Sequence, residues 1–235
     1  MKPKTVQRAV LFDLDGTLID QFDAIHRAFS KTLVSMGFDA PTYDQVKRAV
    51  GGATESTMIK LIGSERAKEA AQKHRPIFEK EMFNGLKLLP GVVKGIEKLK
   101  ANQFKCAVLT NKFGPHARAA CQHLKIDKYL EFTLGANDTP WKKPEKSLTN
   151  YALKKLQCPA HSTCYVGDSP YDYQTARNAD LACFLIGSGT HSFDELKELN
   201  GEKTFKNFED LIDAIVGWSK KHPTQVRVDG RNTRE

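Results

Sequence analysis

The sequence predicts an α/β protein built on a parallel sheet, with an all-helical unit inserted early in the chain. Three observations carry this. Residues 9–13, 106–110, 163–166 and 182–186 form short runs that are apolar on both faces, as strands covered by helices on either side must be. Three of the four are followed at once by polar or glycine-containing turns and then a helical pattern, the alternation that builds parallel sheets. Between the first and second runs the pattern is helical only, from about residue 21 to residue 86.

Each element has a local reason. The first run, AVLFD, is a buried strand closed by an acid. The insert then reads as a helix over residues 22–36 that stops at Gly37, a second after Pro41 and Thr42, a third after Gly51 and Gly52, and a charged fourth over about residues 64–83. The second strand, CAVLT, the third, TCYV, and the fourth, ACFLI, resume the α/β alternation, with a helix over residues 145–156 between the second and third. The division expected is a core of residues 1–20 and 87–223, a helical lid of residues 21–86, and a solvated tail at 224–235 with little apolar content. A lid over a sheet suggests a site that must be closed against water.

Composition removes several function classes. With 235 residues and 40% hydrophobic content the chain can bury a core without disulfides and is not a disordered protein. No apolar run approaches the length of a membrane span. The stretch ending at Asp13 is too short and too soon acidic for a signal peptide. Cys106, Cys121, Cys158, Cys164 and Cys183 are odd in number and lack CxxC spacing, so they read as reduced thiols of a cytoplasmic protein. The net charge of +8 is scattered, with no zinc-finger or RNP-type signature, so nucleic acid is not the expected partner. A mild positive field suits small anionic substrates.

The chemistry sits at strand ends, where parallel sheets bind ligands. The first strand runs into Asp13 and Asp15, on one side of an extended chain. Two such acids repel unless a cation or a shared proton relieves them, and Mg²⁺ is the natural cation for oxygen ligands. The second strand ends in Thr110, Asn111 and Lys112, where a hydroxyl and turn amides suit a phosphate oxygen. Lys143, fixed by Pro144, aims a charge at the same place, and the third strand ends in Asp168, Ser169 and Asp172. Together these supply what phosphoryl transfer needs: nucleophile, proton donor, cation, hydroxyl and metal ligands.

FDLDGTLID, VLTNK, WKKPE and VGDSPYD resemble the four motifs of the haloacid dehalogenase superfamily, in their usual order. The helical insert resembles that family's C1-type cap, and the resemblance implies a Rossmann-like three-layer α/β core. Among subfamilies the likeness is to phosphoglycolate phosphatases, on VLTNK, on VGDSxxD followed by TARNAD, and on LIGSGTHSFDEL. It implies Asp13 as nucleophile, Asp15 as general acid and base, and Thr110 and Lys143 on the phosphate oxygens. Asn111 is placed with them as substrate-binding. Mg²⁺ would be held by Asp13, the main-chain carbonyl of Asp15, and Asp168, with Asp172 ligating through water or orienting Lys143. Ser169 would add a hydroxyl near the metal.

The same residues discriminate within the superfamily. Dehalogenases lack the second aspartate, which is present here, and mutases carry a cap histidine where this chain has Ile25, with His26 one place off. Gln21 and the Glu145-Lys146 pair depart from the pattern at positions expected to carry no chemistry. Arg48, beside the Gly51-Gly52 turn, is a candidate for reaching down onto a substrate anion. His74 and Arg75 read as solvated, and His116, His123, His161 and His191 as surface residues without metal-ligand spacing. The expectation is a Mg²⁺-dependent phosphomonoesterase, monomeric or homodimeric, acting on a small phosphorylated metabolite, with 2-phosphoglycolate favoured. Nucleotides, sugar phosphates or pyrophosphate are the alternatives within enzymes, and a non-catalytic phosphate sensor is the alternative outside them.

Overall fold

The computed structural model describes residues 7–221; the expected tail at 224–235 lies outside them. Strand β1 (Arg8–Phe12) leads through β2 (Ile19–Asp20) into α1 (Phe22–Ser35), α2 (Tyr43–Ala49), α3 (Thr54–Ile62) and α4 (Ala67–Glu81), and the chain returns through β3 (Lys87–Leu88). From there helices and strands alternate: α5 (Val92–Ala101), β4 (Phe104–Phe113), α6 (Gly114–His123), β5 (Thr133–Ala136), α7 (Lys146–Leu156) and β6 (Thr163–Gly167). The series closes with α8 (Pro170–Asn178), β7 (Ala182–Ile186), α9 (Phe193–Asn200), β8 (Thr204–Phe205) and α10 (Phe208–Lys221).

The six core strands form one sheet in the order β5-β4-β1-β6-β7-β8, every pairing parallel. Alternation along β1 sorts its side chains: Val10 and Phe12 pack under α5, α6 and α10, and Ala9 and Leu11 under α7, α8 and α9. The result is the expected three-layer α/β core. After β1 the chain builds outward through β4 and β5, then returns to the other side of β1 for β6. A crevice therefore opens at the carboxyl ends of β1, β4 and β6.

All four expected strands form, with β4 longer than its apolar run. Two further core strands were not apparent in the sequence. β5 reads Thr-Leu-Gly-Ala and β8 has two residues, each too short to show a period.

The four helices between β2 and β3 bury their own apolar cluster, with Phe29, Leu33, Met58 and Phe78 at its centre. α2 starts with a reciprocal cap between Thr42 and Gln45, and Gly37, at φ +84°, takes the chain out of α1. β2 and β3 pair antiparallel, Ile19 with Leu88 and Asp20 with Lys87, so the two crossings to this helical block are bonded to each other.

Candidate active site

β1 ends at Phe12, but the main chain of Asp13 stays in register, its N–H donating to the Val166 carbonyl at 2.9 Å. The chain then turns through Gly16, at φ +84°, where a Cβ would lie 2.8 Å from Asp168 Oδ2. Glycine is therefore required for conformation and for space. Lys143 lies in the loop between β5 and α7, its side chain 1% exposed, 2.8 Å from Asp13 Oδ1 and 2.7 Å from Asp172 Oδ1.

Asp168 follows β6 and is held on both oxygens. Oδ1 accepts from the Thr17 hydroxyl at 3.1 Å, and Oδ2 from the Thr190 N–H at 2.7 Å and the Thr190 hydroxyl at 2.9 Å. Asp172, in the first turn of α8, accepts on Oδ2 from the Ser169 hydroxyl at 2.5 Å and the Asp168 N–H at 3.2 Å. Ser169 is thus the cap of α8 and a support for Asp172.

Asp13, Asp168 and Asp172 each offer an oxygen within 4.8 Å of the others'. Three buried carboxylates against the one Lys143 ammonium leave an excess of two negative charges, and the protonation equilibria register it. Burial, then the charges of Asp172 and Asp13, push the Asp168 carboxyl up to about 8 despite the Thr190 bonds. Burial also raises Asp13 to about 6, with Lys143 opposing and Asp172 adding to the rise. Burial works against the Lys143 charge, but Asp13 and Asp172 outweigh it and hold the ammonium well above its usual range. An all-oxygen donor set short of positive charge fits a hard divalent cation.

A cavity of about 560 Å³ opens over these acids. Asp13, Asp15, Thr110 and Asp168 line its core side, and Ile25, Phe29 and Phe78 line it from the helical block. The Asp15 carboxylate is engaged by Lys112 at 3.0 Å on each oxygen. The Thr110 hydroxyl accepts from the Lys112 N–H at 3.2 Å.

Several expectations need correction. Arg48 does not line this cavity: its guanidinium pairs with Glu195 at 2.9 Å and donates to the Thr190 carbonyl at 3.2 Å, bridging helical block and core. Asn111 lines the cavity, yet both its amide protons are spent, on the carbonyls of Gly51 at 3.1 Å and Lys143 at 3.2 Å. Its Oδ1 accepts from the Lys143 N–H at 2.9 Å, so it fastens the Lys143 loop. His74 is buried rather than solvated, between the rings of Phe29 and Phe78. His116 is buried as well, with Nε2 3.0 Å from Glu79. Gln21 is buried and bonded to Lys112.

Ile25 lines the cavity, whereas His26 bonds the Pro41 carbonyl on another face of α1. All five cysteines are free and buried, and burial pushes Cys106 up to about 12 and Cys121 to about 11, which removes them as thiolate nucleophiles. The clasp of Thr17 and Thr190 on Asp168 was not read from the sequence. The signal was available in placement: Thr17 follows the paired acids directly, and Thr190 stands beyond β7, at another strand's carboxyl end.

Gly189 packs so closely that a Cβ there would fall 2.0 Å from Asp168 Oδ2. Gly189→Ala is expected to swing Asp168 out of its clasp and weaken divalent-metal affinity by about ten- to a hundredfold. Titration calorimetry with Mg²⁺ on the folded variant checks this; unchanged affinity would remove Asp168 from the metal site.

A family model described as haloacid dehalogenase-like hydrolase matches residues 10–186. The phosphoglycolate phosphatase of Rhodobacter capsulatus is 31% identical over 222 residues, covering 90% of this chain and 98% of its own. That of Yersinia pestis is 27% identical, covering 88% and 93%. Among solved structures, a haloacid dehalogenase-like family hydrolase from Streptococcus pneumoniae superposes with a TM-score of 0.80 at 22% identity, covering 88% of this chain and 98% of its own. CbbY from Rhodobacter sphaeroides, solved with xylulose-(1,5)bisphosphate, gives 0.74 at 20% identity, covering 87% and 96%. The family match begins in the strand that delivers Asp13 and ends with β7, just short of Thr190. It encloses the acids, Thr110 and Lys143, and this chain belongs to the haloacid dehalogenase-like hydrolases.

Proposed function

We propose that the protein is a Mg²⁺-dependent phosphomonoesterase that works through an aspartyl-phosphate on Asp13, with 2-phosphoglycolate the favoured substrate. The observation that carries the reading is the Asp13 carboxylate itself. It is buried at the end of the central strand, paired with Lys143 at 2.8 Å, grouped with Asp168, and on the wall of the cavity.

An Asp13 oxygen attacks phosphorus and the bond from phosphorus to the alcohol oxygen breaks; that oxygen takes the proton of Asp15. A water oxygen then attacks the phosphorus and gives its proton to Asp15. The bond to Asp13 breaks, and inorganic phosphate leaves. Thr110 and Lys143 hold the non-bridging oxygens. Asp13, Asp168 and the main-chain carbonyl of Asp15 would hold Mg²⁺, which supplies charge neutralisation at the phosphate. Of the two roles open to Asp172, orienting Lys143 is favoured, because its Oδ1 accepts directly from the Lys143 ammonium at 2.7 Å.

Residues 21–86 act as the cap that closes the site and residues 1–20 and 87–223 as the catalytic core. The 31% identity to a phosphoglycolate phosphatase supports the substrate. A second reading, a larger ester such as a sugar phosphate, draws support from the cavity of about 560 Å³, a size that takes far larger ligands than phosphoglycolate. The protein acts in the cytoplasm on a small metabolite, as a monomer or homodimer, and its five free cysteines support a reducing compartment. No helix among the described residues is long and apolar enough to cross a membrane.

The test is phosphate release from a panel of esters with Mg²⁺ and with a chelator. Metal-dependent release, fastest with 2-phosphoglycolate, is expected; release indifferent to the chelator would overturn the mechanism. Asp15→Asn should lower kcat/KM, which reports the first phosphoryl transfer, by about a hundredfold or more for an alkyl phosphate and far less for a nitrophenyl phosphate, because the latter's leaving group needs no proton. Equal losses would remove Asp15 as the acid.

A further inference from the structure

Lys112 follows Thr110 and Asn111 on β4, and none of the steps above uses it. Its ammonium carries three protons, and three acceptors surround it: Asp15 Oδ1 and Oδ2 at 3.0 Å each and Gln21 Oε1 at 2.5 Å. The side chain is 7% exposed and its ammonium lies 4.8 Å from the centre of the Phe78 ring, on α4. Gln21 passes the contact on, its amide donating to the main-chain carbonyl of Met82. Gln21 immediately precedes α1 and Met82 immediately follows α4, so this one amide touches both crossings between core and helical block.

We propose that Lys112 is the positioning residue for Asp15, and that Gln21 ties it to both crossings. The inference rests on the reading of Asp15 as the leaving-group acid. A carboxylate alone at a strand end has several rotamers, and only those that place an oxygen beside the departing alcohol serve proton transfer. Lys112 removes that freedom by gripping both oxygens from within the core. Donation of a proton requires one Asp15 oxygen to leave Lys112 while the other stays anchored, and the ammonium acts as the pivot. Gln21 and Phe78 hold the ammonium from the helical block, so the pivot's position follows that of the block.

A structural ion pair and a positioning residue differ in what their loss does. The experiment compares turnover of an alkyl phosphate and a nitrophenyl phosphate by the full chain in Mg²⁺, with Asp15→Asn, Lys112→Met and the double variant forming a cycle. Lys112→Met is expected to lower kcat/KM, which is set by the transfer to Asp13 that releases the alcohol, by about ten- to a hundredfold on the alkyl ester and by less than about threefold on the nitrophenyl ester. In the Asp15→Asn background the same substitution should cost less than about twofold more. Gln21→Leu, which leaves the Lys112–Asp15 contact in place, should give a smaller loss with the same preference for the alkyl ester.

Equal losses on the two esters, or additive losses in the double variant, overturn the proposal. Where circular dichroism shows Lys112→Met unfolded, Lys112→Gln, neutral but still a donor, is judged by the same two criteria. Wild-type turnover with a uniform loss on substitution overturns the positioning role alone. Absence of wild-type turnover on any ester overturns the phosphatase reading, and this role with it.

Discussion

Asp13→Asn is expected to lower phosphate release by at least about a thousandfold while leaving the protein folded and, without metal, more stable than wild type at pH 8. The amide keeps the shape of the carboxylate but cannot attack phosphorus. The gain in stability follows from charge. The folded-state pKa of Asp13 is raised to about 6 from an ordinary 3.8, first by burial and then by Asp172 against the pull of Lys143. Between those values the unfolded chain has lost its proton and the folded one keeps it. Stability therefore falls as pH rises through the window, by about 3 kcal/mol once above it. Asparagine has no proton to lose, so the variant should melt higher at pH 8 and lose that advantage towards pH 4. Thermal melts in chelator at both pH values, beside the phosphate assay, check the two halves independently. Residual turnover near wild type would remove Asp13 as nucleophile, and a lower melting temperature at pH 8 would contradict the electrostatic account of the site.

The second large effect lies in the helical block. His74 is buried between Phe29 and Phe78, its Nε2 has no hydrogen-bond partner among the described residues, and its pKa is pushed down to about 3, chiefly by burial and further by Lys112 and His116. Here the folded value lies below the unfolded 6.5. The contribution is complete above pH 6.5 and is lost as pH falls towards 3, because the unfolded chain takes up the proton first. The loss reaches about 3 kcal/mol by pH 4. His74→Leu, apolar and able to fill the slot between the two rings, should flatten this dependence. Melting temperatures of wild type and variant from pH 7 to pH 4 would show the curves diverge on acidification; parallel curves would mean that His74 is solvated or partnered after all.

The legible and illegible parts of this protein differ in physical kind. Asp13, Asp15, Lys143 and Asp168 could be read because each stands just past a short apolar run or before a proline, and strand ends of one sheet meet in space. The helices of the insert were legible at Gly37, Thr42 and Gly51, where the chain cannot continue a helix. What was missed depends on distance across the fold. His74 sits in a stretch crowded with charge, and only the packing of α1 against α4 makes its position interior. Arg48 has the side chain of an anion reader, but its direction is set by Glu195, nearly 150 residues away in the chain. Gln21 and Asn111 are neutral amides with no pattern of their own; their roles exist only in the hydrogen bonds that the assembled site offers.

The antiparallel pairing of β2 with β3 bears on how the chain reaches this structure. β1 must find β4, and the register Arg8 with Phe104 spans nearly a hundred residues of intervening chain. Closing so long a loop is slow and entropically costly. The four helices make most of their contacts among themselves, and once they pack, Ile19 and Leu88 meet at the foot of the block. The searching loop is then the short stretch from β3 to β4 rather than the whole insert. The insert works as its own splint during folding, and its size is nearly irrelevant to the assembly of the sheet. A longer, shorter or exchanged insert that still brings Ile19 to Leu88 leaves the strand ends that carry the acids as they are.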